Sequence, residues 1–305
     1  MPELPLLLPS DDKDKLPERV ARERGIGSRQ CEPKILSVQT VSHNGTAART
    51  TARKCLLSKH LRATIQTPLF LERAFTMTAA IASIQVGSIR TEGVIGSSNP
   101  LERKWTTGFY KYPIHTAATI HRYGLEGDSI ADHRYHGGAD KAVLGYGAEN
   151  YSRWRCELSP ADFLNPQAFD EFGPGAFAEN LTITEQDETN VCIGDRYQIG
   201  SDEGQAVVLE VSQPRQPCWK ISRRWQHRTL TKQVAATGRT GWYFRVLREG
   251  GIQAGDAVTL IDRPLPQWTL ARANDLLLGW VADRYAVAEL MQLEVLAAAW
   301  KKSLH

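Results

Sequence analysis

The sequence predicts a mainly β protein with interspersed helices, followed by a small C-terminal helical module. Short alternating or β-branched runs, separated by glycine turns, predict the strands. Two Gly-Asp turns, at 194–195 and 255–256, each lead into an alternating run, and such turns at irregular spacing suit a barrel or a sandwich. After residue 264 the apolar residues recur every three or four positions, which predicts the helices of the module.

Eight segments have the composition of strands, being β-branched, aromatic or alternating in polarity. They are 80–86, 116–121, 142–146, 180–184, 197–199, 206–211, 242–247 and 257–261. Several end near a glycine, which favours a turn at that point. Two helices are predicted between these strands, over 148–158 and over about 219–233.

Two apolar stripes follow residue 264. Thr269 and Asp283 can each cap a helix, because a side-chain oxygen at that position accepts a backbone N–H bond. The first stripe is Leu270, Ala273, Leu277 and Trp280, and the second is Leu290, Leu293, Leu296, Trp300 and Leu304. Such stripes are typical of packing surfaces, so we interpret the segment as a small unit docked beside the β domain.

Residues 1–76 differ from the remainder of the chain. They contain 13 Lys+Arg against 8 Asp+Glu, whereas all eight Trp and all nine Tyr follow Met77. Because the segment lacks helical and strand periodicity, we expect a disordered extension, or a start assigned upstream of a true start at Met77. The chain is therefore divided into the extension 1–76, a β domain 77–264 and a helical module 265–305.

The formal net charge of +3 comes from the extension rather than from the folded part. A basic balance of this origin is poor evidence for nucleic-acid binding, so no nucleic-acid partner is expected, although binding through the extension is an alternative. No run of about 18 apolar residues occurs, which excludes a membrane-spanning helix, and no membrane partner is expected.

The cysteines indicate a reducing compartment. Their number is odd and they include no Cys-x-x-Cys pair; they are Cys31, Cys55, Cys156, Cys192 and Cys218. This pattern argues against a disulfide framework and against a structural zinc ribbon, so a cytoplasmic location is expected.

The densest polar segment is 124–143, between two predicted strands. Its glycines Gly137 and Gly138 can expose backbone N–H groups to an anion, and Lys141 would neutralise the anion's charge. The alternative is a hairpin-like loop whose charges are simply solvated. Loops on a rigid scaffold are where sites gather, and the sequence leaves both interpretations open.

A metal site is a weaker interpretation of the same segment. His133 and His136, with His115 and His121 nearby in sequence, suggest zinc ligands. A His-x-x-His pair brings both rings together only on a helix, and the two glycines that follow disfavour one. A clear third ligand is also missing, so zinc is disfavoured.

Cys218 is the cysteine in the most electropositive surroundings. It ends Ser212-Gln-Pro-Arg-Gln-Pro-Cys218, after a predicted strand and near the start of the next helix, with Arg215 and Lys220 close by. Cations and a helix N-terminus favour a thiolate, the form needed for nucleophilic attack or for binding a soft metal. The alternative is a buried structural thiol.

Taken together, these segments resemble the MOSC domain, named after the C-terminal domain of molybdenum-cofactor sulfurase, in its YiiM-like branch. The resemblance spans about 81–264 and continues into the helical module. It is carried by Gly124-Leu-Glu-Gly-Asp128, His136-Gly-Gly-Ala-Asp-Lys-Ala-Val143, Glu179-Asn-Leu181, Ser212-Gln-Pro-Arg-Gln-Pro-Cys218, Thr240-Gly-Trp-Tyr243 and Gly255-Asp256.

The resemblance implies a MOSC-type β-barrel followed by a three-helix module, holding a molybdenum cofactor of the molybdopterin type. Cys218, matched to the family's motif cysteine, is then the metal ligand and a catalytic residue. The implied cofactor-binding residues are His136, Gly137, Gly138, Lys141, Asn180 and Arg215. Asp132 or His133 is the expected catalytic proton donor, from its proximity in sequence.

The implied activity is two-electron N–O reduction of N-hydroxylated small molecules resembling 6-hydroxylaminopurine. No flavin or nicotinamide fingerprint is visible, so electrons are expected from a separate reductase, a flavoprotein or similar. The alternative is a molybdenum-cofactor or sulfur carrier in which Cys218 bears a persulfide and no turnover occurs. The oligomeric state is left open, a homodimer being one alternative.

Two residues depart from the family pattern. Ala178 stands where the family often has glycine before Glu179-Asn-Leu181, which affects a tight backbone approach. Leu144 stands where many relatives have histidine, which removes a polar group. Neither departure involves Cys218. Both therefore affect the prediction of the substrate more than the prediction of cofactor binding.

Overall fold

A computed structural model describes residues 78–200 and 206–304. The expected disordered extension 1–76 and the proposed start at Met77 lie outside these residues. Within them the chain forms thirteen strands. They are β1 (Ile81–Val86), β2 (Arg90–Glu92), β3 (Trp105–Thr107), β4 (Tyr112–Ile114), β5 (Ala118–His121), β6 (Gly124–Leu125), β7 (Val143–Gly147), β8 (Leu181–Ile183), β9 (Arg196–Ile199), β10 (Val207–Pro214), β11 (Trp242–Arg248), β12 (Gly250–Ile252) and β13 (Val258–Asp262).

Six α-helices accompany these strands in the described part of the chain. They are α1 (Glu149–Glu157), α2 (Lys220–Trp225), α3 (Leu230–Thr237), α4 (Leu270–Leu277), α5 (Arg284–Gln292) and α6 (Ala298–Lys301). A mainly β chain with interspersed helices and a three-helix C-terminal segment is therefore confirmed.

One mixed sheet of eight strands forms the body of the molecule, in the order β13-β9-β10-β11-β7-β8-β1-β4. Its neighbours are antiparallel except for β7 and β8, which run parallel. Two smaller sheets, β12-β5-β6 and β2-β3, stand beside it. All eight strands predicted from composition are present, whereas the short strands β2, β3, β4, β6 and β12 carry too few residues to give a pattern.

The predicted barrel is not confirmed as a closed sheet. Among the described residues no ladder joins the terminal strands β13 and β4. One antiparallel bridge, between Ala80 and Ala257, links the start of β1 to the start of β13. The Val258 N–H group donates to the Ala79 carbonyl at 2.7 Å beside it. The sheet therefore curls until β1 approaches β13, without a continuous ladder between them.

The two Gly-Asp turns are confirmed and share one geometry. Gly194 and Gly255 have φ of 80° and 93°, a region that a Cβ atom disfavours. The carboxylate of the following aspartate then accepts a backbone N–H bond three residues back. Asp195 accepts from the Cys192 N–H group and Asp256 from the Gln253 N–H group, both at 2.8 Å.

The helix predicted over about 219–233 is two helices, α2 and α3. Gln226 ends α2 in the left-handed region, with φ of 49°, and α3 begins at Leu230. The periodicity continues across the break because both helices bury apolar residues against the same aromatic core, which contains Ile221, Trp225, Leu230 and Val234.

The second C-terminal stripe is also divided. Asp283 caps α5 as predicted, its Oδ1 accepting from the N–H groups of Tyr285 and Ala286. The helix ends before Leu293, and Trp300 belongs to α6. A stripe spaced by three and four residues continues across the gap, because both helices face the sheet.

The helical segment and the sheet share one hydrophobic core. Trp268, Leu270 and Trp300 pack in the same cluster as Ile193 and Val211 of the β part. The domain boundary at 264/265 stays a prediction, although the shared core indicates that the two parts stabilise each other. No helix within the described ranges is long and apolar enough to cross a membrane.

Candidate functional site

A pocket lies where residues adjoining the central strands β7, β8, β10 and β11 meet the loops after β3 and β6. Its empty space is about 580 Å³ with solvent at the mouth included. Five of the predicted cofactor-binding residues line it, namely His136, Gly137, Lys141, Asn180 and Arg215. They come from three separate stretches of chain, so folding brings the predicted motifs together.

The wall of the pocket is cationic. Arg215, which directly follows β10, lines it together with Lys141 and Lys220. The Lys141 Nζ atom donates to the Tyr135 carbonyl at 2.8 Å and lies 5.9 Å from the ring centroid of Tyr243. Lys141 and Lys220 are both half-buried, and this burial lowers their pKa.

Arg215 is the most conspicuous of these cations. Its side chain is 4% exposed, and its Nη1 atom has no hydrogen-bond partner. The guanidinium lies 5.9 Å from the ring centroid of Phe109, which also lines the pocket. A buried guanidinium nitrogen without a partner is costly, and an anion in the pocket that accepts from Nη1 would relieve the cost.

His136 is neutral at physiological pH. Burial and the surrounding cations, Lys220, Arg215 and Lys141, lower its pKa to about 3. A neutral imidazole accepts a hydrogen bond on one ring nitrogen and donates on the other. His136 is therefore suited to recognising a polar ligand group and unsuited to donating a proton as imidazolium.

The glycines of the predicted anion loop adopt left-handed conformations. Gly137 and Gly138 have φ of 78° and 83°. No hydrogen bond within the described residues uses either N–H group. Gly137 lines the pocket, whereas Gly138 caps the short helical turn Ala139–Lys141 and lies outside the lining.

Cys218 lies beside the pocket rather than in its lining. It is half-buried, and its carbonyl accepts from the Ile221 N–H group and the Thr231 hydroxyl, both at 3.1 Å. The thiol is near two lining residues. Burial lowers the pKa of Lys220, and negative charge on Cys218 opposes that shift. Burial also raises the pKa of Tyr243 to about 12, with Arg215 opposing and Cys218 reinforcing the change.

Asp132 and His133, predicted as proton donors, are not among the residues that line the pocket. Asp132 pairs with Arg134 at 3.2 Å, and hydrogen bonds from Arg134 lower the Asp132 pKa. His133 is exposed on the same loop. Their catalytic roles stay predictions, and the ionised state of Asp132 at neutral pH disfavours it as a donor.

The floor of the pocket holds a charged pair that sequence reasoning missed. Lys111 Nζ pairs with Asp128, and both side chains are 8% exposed. Asp128 also accepts from the Gly87 N–H group and from Asn180 Nδ2, both at 3.0 Å. Asp128 belongs to a motif quoted above, but Lys111 lies in the loop between β3 and β4, where nothing in the sequence singles it out.

Asn180 lines the pocket with its amide already engaged. Its Oδ1 atom accepts from the Leu144 N–H group at 3.1 Å, and Nδ2 donates to the Gln85 carbonyl and to Asp128. Asn180 therefore links β7 and β1 to the Lys111–Asp128 pair at the floor of the pocket. The neighbouring Leu144 contributes an apolar side chain to the wall.

Glu179, which belongs to the quoted Glu179-Asn-Leu181 motif, does not line the pocket. Its carboxylate is fully buried and accepts from the N–H groups of Gly175 and Phe177, at 2.7 and 3.2 Å. It also accepts from the hydroxyls of Tyr151 and Thr182. The carboxylate is therefore engaged by groups of the protein itself, and it stabilises the loop before β8.

Ala178 shows why this position suits glycine. Its φ is 61°, in the left-handed region, where a Cβ atom costs about 1–2 kcal/mol. Ala178→Gly is therefore expected to raise the free energy of unfolding by about 0.5–1 kcal/mol, once the extra freedom of the unfolded chain is subtracted. Urea unfolding of the two proteins measures this.

The matched control is Ala148→Gly, because Ala148 has φ of −60°. There glycine relieves nothing and should lower stability by about 0.5–1 kcal/mol. Equal losses in the two variants would show that Ala178 is not strained.

Comparison with known proteins decides the family. The MOSC domain family matches residues 132–259. The uncharacterized protein YflK of Bacillus subtilis is 35% identical over 212 residues, which are 68% of this chain and 89% of YflK. The chain belongs to the MOSC family. The crystal structure of YiiM from Geobacillus stearothermophilus matches with a TM-score of 0.56 and 29% identity, covering 74% of this MOSC chain and 100% of that one. The predicted YiiM-like resemblance is confirmed.

A third relative of the MOSC chain is a protein named Reductase from Gibberella moniliformis. It is 37% identical over 192 residues, which are 62% of this chain. The chain spans only 31% of that protein's length. The residues from His136 to Tyr243 fall inside the matched MOSC range, whereas Lys111 and Asp128 precede it.

The described residues contain no group of three or more His, Cys, Asp or Glu side chains placed to hold a metal ion. His121, one of the zinc candidates, lies 3.8 Å from Glu249 on an exposed edge, away from the pocket. Cys218, which lies in the chain between the lining residues Arg215 and Lys220, carries a soft sulfur donor.

Proposed function

We propose that this MOSC protein is a molybdenum-cofactor-dependent reductase of N-hydroxylated compounds. The observation that carries the proposal is the buried guanidinium of Arg215, unpartnered at Nη1 and lining a pocket beside Cys218. Membership of the MOSC family and similarity to a protein named Reductase support an enzyme with oxidoreductase activity.

The residues of the pocket fit a molybdopterin-type cofactor. Such a cofactor carries a phosphate, and Arg215, Lys141 and Lys220 supply the cations that a phosphate requires. The unused N–H group of Gly137 adds a backbone donor. The thiol of Cys218, close enough to influence Lys220 and Tyr243, suits a soft metal.

When bound, the cofactor supplies a two-electron redox centre at its metal. The chain would hold its phosphate through Arg215 and Lys220, and would ligate the metal through Cys218. The apolar side chains of Phe109 and Leu144 would exclude water from the pocket. Electrons would come from a separate reductase, as the sequence predicts.

The proposal is tested on full-length protein purified from molybdenum-replete cells. Molybdenum and pterin are measured per chain, and reduction of 6-hydroxylaminopurine is followed with an artificial electron donor. We expect near-stoichiometric metal and pterin, and turnover to the amine. Protein that contains neither molybdenum nor pterin would contradict the proposal.

The same preparation distinguishes the carrier alternative. A persulfide carrier would release sulfur with cyanide, would lose that sulfur in Cys218→Ala, and would show no turnover. Turnover without cyanide-releasable sulfur supports the reductase.

A further inference from the structure

Lys111, which is paired with Asp128, places its ammonium group at the pocket. Lys111 Nζ has three N–H donors, and Asp128 is its one hydrogen-bond partner within the described residues. Both residues line the pocket. Two donors of a nearly buried ammonium are therefore available to a molecule bound there.

Asp128 is held in a way that orients Lys111. The Gly87 N–H group binds one carboxylate oxygen at 3.0 Å, and Asn180 Nδ2 binds the other at the same distance. Asn180 is in turn tied to the Leu144 N–H group at the start of β7. The ammonium is thus anchored through its carboxylate partner to rigid strands, as a positioned acid requires.

Two other candidates near the pocket are poor donors. Asp132 is paired with Arg134 outside the lining, and His136, with a pKa of about 3, is not an imidazolium at neutral pH and is therefore a weak acid. Lys141 and Lys220 also line the pocket, but within the described residues neither forms an ion pair with a carboxylate, so neither ammonium is oriented as that of Lys111 is. Burial lowers the pKa of Lys111, with the charges of Asp128 and then Glu179 opposing, and this brings its acidity closer to working pH.

We propose that Lys111 donates a proton to the oxygen that leaves the substrate nitrogen, and that Asp128 positions it. This inference rests on the proposed function. The overall reaction is R–NHOH + 2e⁻ + 2H⁺ → R–NH₂ + H₂O, with both electrons from the separate reductase. The N–O bond breaks, Lys111 protonates the departing oxygen, and water supplies the second proton and then restores the ammonium.

Lys111→Arg is the first test, because arginine keeps the charge that Asp128 needs but stays protonated in proteins. We expect kcat for 6-hydroxylaminopurine to fall about 100-fold, the usual contribution of a general acid, with molybdenum and pterin content unchanged. Lys104→Arg, at an exposed position, is the matched control and should keep the wild-type kcat.

The pH profile separates proton donation from a merely structural role. Wild-type kcat should fall as pH rises through the pKa of Lys111, since the ammonium is the donor. Asp128→Asn removes the carboxylate that raises this pKa, so the fall should move to lower pH. NMR of lysine labelled with ¹³C at Cε, assigned by the signal missing from Lys111→Arg, should show the same shift. The other charged groups near Lys111 are unchanged in this variant, namely Glu179 and the lining residues Arg215, Lys141 and Lys220. His136 and Tyr243, which also line the pocket, are neutral.

A double variant guards against loss of folding. Lys111→Met with Asp128→Asn removes both charges together, so neither is left buried and unpaired. If it folds with full cofactor content and keeps kcat within about threefold, Lys111 is not the donor. A Lys111→Arg enzyme with unchanged kcat and pH profile overturns the inference while leaving the reductase intact. A wild type without cofactor contradicts the proposed function instead.

Discussion

Arg215→Met is expected to lower cofactor retention about 100-fold while stabilising the cofactor-free protein. A buried guanidinium that binds phosphate typically contributes about 2–5 kcal/mol, and 1.4 kcal/mol corresponds to a tenfold change. In the structure Arg215 is 4% exposed and lacks a protein partner at Nη1. Methionine has a similar length and no charge, so it removes the cost of burying the guanidinium. The free energy of unfolding of the cofactor-free protein should therefore rise by about 1–2 kcal/mol.

The two effects are measured separately. Pterin per chain after purification, read from the fluorescence of the oxidised pterin, reports retention, and urea unfolding of cofactor-free protein reports stability. Arg284→Met, at an exposed position on α5, is the matched control and should change neither quantity appreciably. A stability loss in Arg215→Met with normal pterin content would show that the guanidinium is a structural group.

Cys218→Ala is expected to abolish turnover, lowering kcat at least about 100-fold. Even partners that only support a metal ligand change activity by 10–100-fold, and the ligand itself should count for more. The pterin should remain largely bound, because Arg215, Lys141 and Lys220 still line the pocket. Molybdenum content should fall more than pterin content.

Cys156→Ala is the matched control, since Cys156 is exposed on α1 and away from the pocket. Metal analysis, pterin fluorescence and turnover are measured on the same preparations. If Cys218→Ala keeps wild-type turnover, Cys218 is not the metal ligand and the proposed function loses its redox site.

Much of the pocket wall is predictable because its residues are contiguous motifs. The segment from His136 to Lys141 combines paired glycines with a cation, and Arg215 precedes Cys218 by three positions. These signals are local, and a loop that must adopt positive φ leaves them in the sequence. The structure brings both segments to the same pocket, as the sequence predicts.

The floor of the pocket is different. Lys111 meets Asp128 across 17 positions, and Asn180 reaches Asp128 across 52. No periodicity or spacing encodes such a pair, because the contact depends on how β1, β7 and β8 are arranged in the sheet. The same limit applies to Glu179, whose buried carboxylate accepts from the Gly175 N–H group, a contact that no sequence pattern indicates.

The sequence by itself determined that this is a mainly β chain with a C-terminal helical segment, because strand composition, turn glycines and apolar stripes are local properties. The resemblance to the MOSC domain came separately, from contiguous motifs such as Ser212-Gln-Pro-Arg-Gln-Pro-Cys218. The sequence also showed that Cys218 lies close along the chain to the cations Arg215 and Lys220. Only the tertiary structure decided which charges are buried, which carboxylates are already bound, and that the long helical pattern over 219–233 is broken at Gln226. Burial and partnership are properties of three-dimensional packing, and they set the pKa and the availability of each group.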